Sequence, residues 1–203
     1  MGLISNGTTI FDAGAMSLGG GMSVMKKLTA NSSATLSFVH GSGGVDFSSH
    51  KEYMFICKNI HPQTNSKNLL FNMSIDAGSN YNVTKTSTYF RALTYESSGD
   101  GSSSLGYDTD GDLGQETAFQ VLTQAISNDA DQSANGILHL FNPNSATFVK
   151  HFIANFNRGH PSDISVNDHA AGYANTTSDV DAIQFKMTSG NIQAGTITMY
   201  GIN

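Results

Sequence analysis

Apolar residues recur at every second position through most of this chain, and no long stretch repeats them at the 3.6-residue period of a helix. That alternation restricts the chain to half-buried strands. It is clearest near the C-terminus. Ile183, Phe185 and Met187 alternate with polar residues; after Ser189-Gly190-Asn191, the residues Ile197, Met199 and Gly201 share one face and Thr196, Thr198, Tyr200 and Ile202 the other. Two period-two runs separated by Gly and Asn predict a C-terminal hairpin packed into an all-β domain, with no tail or anchor after it.

Similar signals run back along the chain. Thr35–Val39 alternates before the turn at Gly41–Gly44, Glu52–Ile60 is largely apolar, and Leu69, Phe71, Met73 and Ile75 alternate with polar neighbours. Ser87–Glu96 and Gly136–Phe141 read as strands, and Thr147–Phe156 reads as the hairpin partner of the latter across Asn142-Pro143-Asn144. Ala118–Ile126 fits either a strand or a short helix, and Ala170–Ala174 is a weak strand. Nine or ten strands joined by Gly, Asn and Ser turns predict a two-sheet antiparallel β-sandwich of jelly-roll type, with a small up-and-down barrel as the alternative.

Residues 1–30 break the pattern. Gly14, Gly19, Gly20 and Gly21 lie among Met16, Leu18, Met22, Val24 and Met25 without a period. Gly-rich backbone is costly to order, so this segment is read as an N-terminal arm or irregular first strand, and 31–203 as a single sandwich domain. The segment Ser97–Glu116 opens with a low-complexity run and is read as a long surface excursion, the kind of loop that carries contacts.

The chain has 203 residues, which suits one domain. Charged residues make up 13%, against roughly 25% in an ordinary soluble domain. Ser, Thr, Asn and Gly supply the polar surface instead, a composition suited to a subunit held against other subunits. A net charge of -6 excludes the basic footprint that nucleic-acid binding needs. No apolar run is long enough for a transmembrane helix, and the N-terminus lacks the pattern of a secretory signal. Cys57 stands alone within Tyr53–Cys57 and is read as a buried, inert thiol.

No nucleophile elbow, phosphate loop or dinucleotide fingerprint occurs, so no catalytic residue and no cofactor is predicted. Asp108, Asp110 and Asp112 alternate on a turn in a way that suits Ca²⁺, but Leu113 and Phe119 stand where an EF-hand needs Gly and Glu. They remain a candidate only, and no metal is assigned. His40, His50, His61, His139, His151, His160 and His169 lack zinc-site spacing, although His139 and His151 flank one hairpin and are candidates to face each other.

Several segments together resemble a family of virion structural proteins of tailed bacteriophages, particularly marine ones. They are the opening Met1–Ile10, Lys51–Ile56 with Ile60-His61-Pro62, Leu138–Pro143 with Phe148–Phe152, and above all Phe185–Ile192 and Ala194–Ile202. The resemblance spans nearly the whole chain and brings no catalytic residues with it. It implies a non-enzymatic subunit of the virion, assembled in the host cytoplasm as a homo-oligomer, expected to be a trimer. The expected role is external and accessory, as capsid decoration or a particle-attached fibre, with the phage capsid or tail proteins as partners and the arm as the docking element. A second reading is a lectin-like module that recognises host surface glycans through Ser97–Glu116.

Overall fold

The computed structural model describes residues 21–97, 99 and 101–203, and the backbone alone for 3–5, 8–12 and 15–16. Those last three segments, β1 (Leu3–Ser5), β2 (Thr8–Asp12) and β3 (Ala15–Met16), pair antiparallel in a small sheet of their own. Gly14, Leu18, Gly19 and Gly20 of the expected arm lie outside the described residues, as do Ser98 and Asp100 of the 97–116 segment.

The rest is a sandwich of two antiparallel sheets, with no helix among the described residues. Its strands are β4 (Met22–Thr29), β5 (Leu36–Val39), β6 (Glu52–Pro62), β7 (Lys67–Ser74), β8 (Lys85–Tyr95), β9 (Ser104–Tyr107), β10 (Leu113–Glu116), β11 (Gln120–Ile126), β12 (Ala134–Phe141), β13 (Lys150–His160), β14 (Ile164–Ala174), β15 (Ala182–Met187) and β16 (Ile192–Ile202). The larger sheet runs β10-β8-β14-β13-β12-β6-β16-β4, with β9 also on β8, and the smaller runs β11-β7-β15-β5. From β4 to β8 each strand lies in the opposite sheet from the one before it.

Alternation explains the core. On β13, Phe152, Ala154 and Phe156 are buried while His151, Ile153, Asn155 and Asn157 are exposed. Aromatic rings from both sheets interlock between them. Phe55 and Phe152 come from the large sheet and Phe38, Phe71 and Phe185 from the small one. Phe71 meets Phe152 edge-on at 5.1 Å between centroids, and Phe38 meets Phe55 at 5.4 Å. Edge-to-face pairs of this kind add about 1 kcal/mol beyond the area they bury.

Two sequence expectations need correction. The C-terminal strands do not form a hairpin: β15 pairs with β5 and β7 in the small sheet, and β16 pairs with β4 and β6 in the large one. Ser189-Gly190-Asn191, with Gly190 at φ 71°, is therefore a corner that carries the chain across the sandwich. Within residues 1–30, read as an arm or an irregular first strand, Met22–Thr29 is a bulged strand that pairs along β16 as the edge of the large sheet. The 97–116 segment folds back on the sheet: β9 pairs with Phe90–Leu93 of β8, and β10 with Lys85–Ser87 of the same strand. Elsewhere the expected strands are present. Ala118–Ile126 resolves to a strand, and β12 and β13 form the expected hairpin.

Candidate functional surface

The described residues of this protein form no cleft with a catalytic constellation, and its distinctive chemistry lies on its outward faces. On the outer side of β7 the chain covers itself. Asn72 and Ser74 are buried, and Asn72 Nδ2 donates to the carbonyls of Tyr81 at 2.8 Å and Thr117 at 3.0 Å. Among the described residues, the large sheet has no such cover. Its pairing places one row of outward residues from Phe90 through His169, Asn155 and Ile137 to Ile56 and Thr198. The next row runs from Thr88 through Ala171, Ile153, His139 and Met54 to Tyr200.

This face carries most of the exposed apolar surface. Among the described residues, nine large hydrophobic side chains are exposed, and seven of them share it: Met22, Val24, Phe90, Leu105, Tyr107, Ile137 and Ile153. Leu105 and Tyr107 reach it because β9 sets them opposite Ala92 and Phe90. Scattered exposed hydrophobics need no explanation, but their concentration on one face does. Solvated antiparallel sheets usually alternate apolar residues inward with charged or polar ones outward. Here the outward positions of these rows hold Ile, Phe, Met, Tyr, Ala, His, Asn and Thr, with Lys27 at one end.

Charge is sparse on this face. Glu52 projects outward, and its Oε1 lies 2.6 Å from His139 Nδ1, so the carboxylate already has a partner. Lys27 continues the first row opposite Thr198, and the exposed Lys58 flanks it opposite Thr196, so the face carries these two lysines beside Glu52. The polar groups are tied to one another. Asn155 Nδ2 donates to Asn167 Oδ1 at 3.1 Å, Asn157 Nδ2 donates to the Val166 carbonyl at 3.0 Å, and the His169 ring stacks on Phe90 at 4.7 Å. These contacts hold a flat arrangement of amides and rings in place before any partner arrives.

The residues singled out from the sequence are dispersed. His139 lies opposite Ile153, and Leu140 opposite Phe152, so His139 and His151 do not face each other; His151 instead packs near Tyr173 at 5.9 Å. In the acidic turn, Asp108 lies 3.2 Å from Arg91 and accepts from the Asp110 backbone N–H, while Asp112 accepts from the Tyr107 hydroxyl at 2.5 Å. That bond to Asp112 pushes the Tyr107 phenol up. The carboxylates of Asp108 and Asp112 thus serve different protein partners and do not converge. Among the described residues no group of three His, Cys, Asp or Glu is placed to hold a metal ion. Cys57 is buried, and burial pushes its thiol up, away from the reactive thiolate.

No protein-family model, curated protein or solved structure matches this chain.

Sequence reasoning missed two features. The outward face depends on the registers of eight strands, which no single segment encodes. A buried polar cluster joins the sheets as well. Arg158 Nε lies 2.9 Å from Asp168 Oδ2, and the Thr123 hydroxyl donates to the same oxygen at 2.6 Å. Parity along the strands was the available signal, since Arg158 follows Phe152, Ala154 and Phe156, and Asp168 stands between Val166 and Ala170.

Proposed function

We propose that this chain is a structural subunit of a bacteriophage virion, an external accessory protein used as capsid decoration or as a particle-attached fibre. It works through contact with other subunits and performs no reaction. One observation carries the reading: seven exposed hydrophobic side chains are gathered on one sparsely charged sheet face. A freely diffusing protein gains nothing from such a face, because it invites nonspecific association. A subunit fixed in a large assembly covers it, and many weak contacts then add through effective concentration. A jelly-roll sandwich belongs to the same proposal, supported by the way β4 to β8 alternate between the sheets.

A second reading has its own support. β9 brings Tyr107 beside the Phe90–His169 stack and the Asn155–Asn167 amides, a grouping of rings and planar polar groups suited to a glycan of the host surface. Calorimetry with host envelope polysaccharide tests it, and absence of heat removes it.

The main reading is tested by labelling intact virions with an antibody to this chain and imaging them by electron microscopy. Label over the head supports capsid decoration or a head fibre, label at the tail tip favours host recognition, and unlabelled particles contradict the virion assignment.

A further inference from the structure

We infer that the outward face of the large sheet binds a second copy of this chain. The inference deepens the reading of the protein as an assembly subunit and names both the contact face and its partner.

Size supports it. Eight strands about 4.8 Å apart and four rows of outward residues about 6.8 Å apart (the two described, flanked by one through Phe141 and Glu52 and one through Asn135 and Asn157) give a face of roughly 34 by 20 Å. That is about 700 Å², near the roughly 800 Å² each partner contributes to a standard stable interface. Aromatic and methionine side chains with few charges are also the composition of an interface core.

Charge on this face is compatible with a copy of the same chain. The protein carries 16 acidic residues and a net charge of -6, so two copies repel through most approaches. The two central rows hold no acidic residue, Glu52 beside them has His139 as its partner at 2.6 Å, and Lys27 and Lys58 bring positive charge to the face. Two copies meeting here avoid the repulsion. The remaining polar groups, Asn155, Asn157, Thr88 and Tyr200 among them, each donate and accept, so the face is chemically compatible with itself.

The edges of the sheet are poorer candidates. β4 places Lys26 and Lys27 on its edge, and a bulge interrupts its pairing between Met199 and Tyr200. Both features oppose strand addition from another molecule. At the far side, β9 and β10 already cover β8.

The test is sedimentation of the whole purified chain, wild type beside Ile153→Glu and, independently, Ile137→Lys, with circular dichroism to establish that each variant is folded. Both residues are solvent-facing in the isolated chain, at 53% and 36% exposure, so the substitutions leave the core alone. Wild type is expected to associate, nearly independently of salt because few charges take part. Each variant is expected to weaken association at least about tenfold, the loss of one well-packed interface side chain. A monomeric wild type overturns the inference, as does an oligomer that both folded variants leave intact. If the wild type is monomeric yet the antibody labels virions, self-association falls and the virion reading stands. A monomer that binds host polysaccharide through this face assigns the surface to glycan instead.

Discussion

Arg158 and Asp168 form an ion pair inside the sandwich, with Nε 2.9 Å from Oδ2 and neither side chain reaching solvent. The two residues lie on the neighbouring strands β13 and β14, and the Thr123 hydroxyl joins them from β11 of the opposite sheet. Arg158 also donates to the Ala125 carbonyl at 3.2 Å, so the cluster ties one end of the small sheet to the large one. The nearby Asp168 carboxylate and burial itself both push the Tyr89 phenol up, with burial the larger cause. Breaking such a pair leaves an uncompensated charge in the interior. Arg158→Met is therefore predicted to destabilise the fold by about 3 to 5 kcal/mol in urea unfolding, whereas Arg158→Met with Asp168→Leu recovers much of that loss. Equal losses in the single and double variants would show that the cost comes from packing and not from the orphaned carboxylate.

Lys85 is buried, and its Nζ donates to Asn72 Oδ1 at 2.6 Å and to the Val83 carbonyl at 2.7 Å. Burial pulls its pKa down from 10.5 to about 7. Between those values the unfolded chain holds the proton and the folded chain does not, so stability rises with pH across this window. Below about pH 7 the ammonium is present in both states and the contribution is at its minimum; above about pH 10.5 it is fully gained. At about 1.4 kcal/mol per unit the rise is capped at about 5 kcal/mol, and the two carbonyl acceptors reduce it by favouring the ammonium. Urea unfolding at pH 7 and pH 9.5 is expected to show wild type gaining stability relative to Lys85→Met. Parallel behaviour of the two proteins would contradict this account.

Cys57 faces the core from β6 and is 1% exposed. A thiol held neutral by burial reacts slowly with disulfide reagents. The native protein is expected to resist labelling, and urea is expected to release one equivalent of thiol per chain. Rapid labelling without denaturant would mean that β6 opens readily.

Most strands were legible from the sequence because burial on one face leaves a period-two trace, as in Ile197, Met199 and Gly201. What joins to what was not. Ser189-Gly190-Asn191 serves a hairpin and a corner between sheets equally well, since both need a sharp turn and neither records a partner. β9 and β10 were missed because each is four residues long in a Gly- and Ser-rich segment, and their pairing comes from β8 and not from their own pattern. Arg158 and Asp168 fell beyond the strand ends read from the sequence, because a charged residue ordinarily signals the end of a buried run. The outward face escaped for another reason. Ile137 and Ile153 read as ordinary strand residues, and only the pairing of β12 with β13 sets Ile153 beside His139 and the wider apolar surface.

The central claim is that the outward face of the large sheet is this protein's working contact, and particle assembly tests it most directly. Virions are to be assembled in cells that supply either the wild-type chain or Ile153→Glu, purified, and measured for copies of the chain per particle. The account predicts abundant wild-type chain and at least about tenfold less of the folded variant, as expected when a central interface side chain is replaced by a charge. Equal incorporation of the two chains would contradict it.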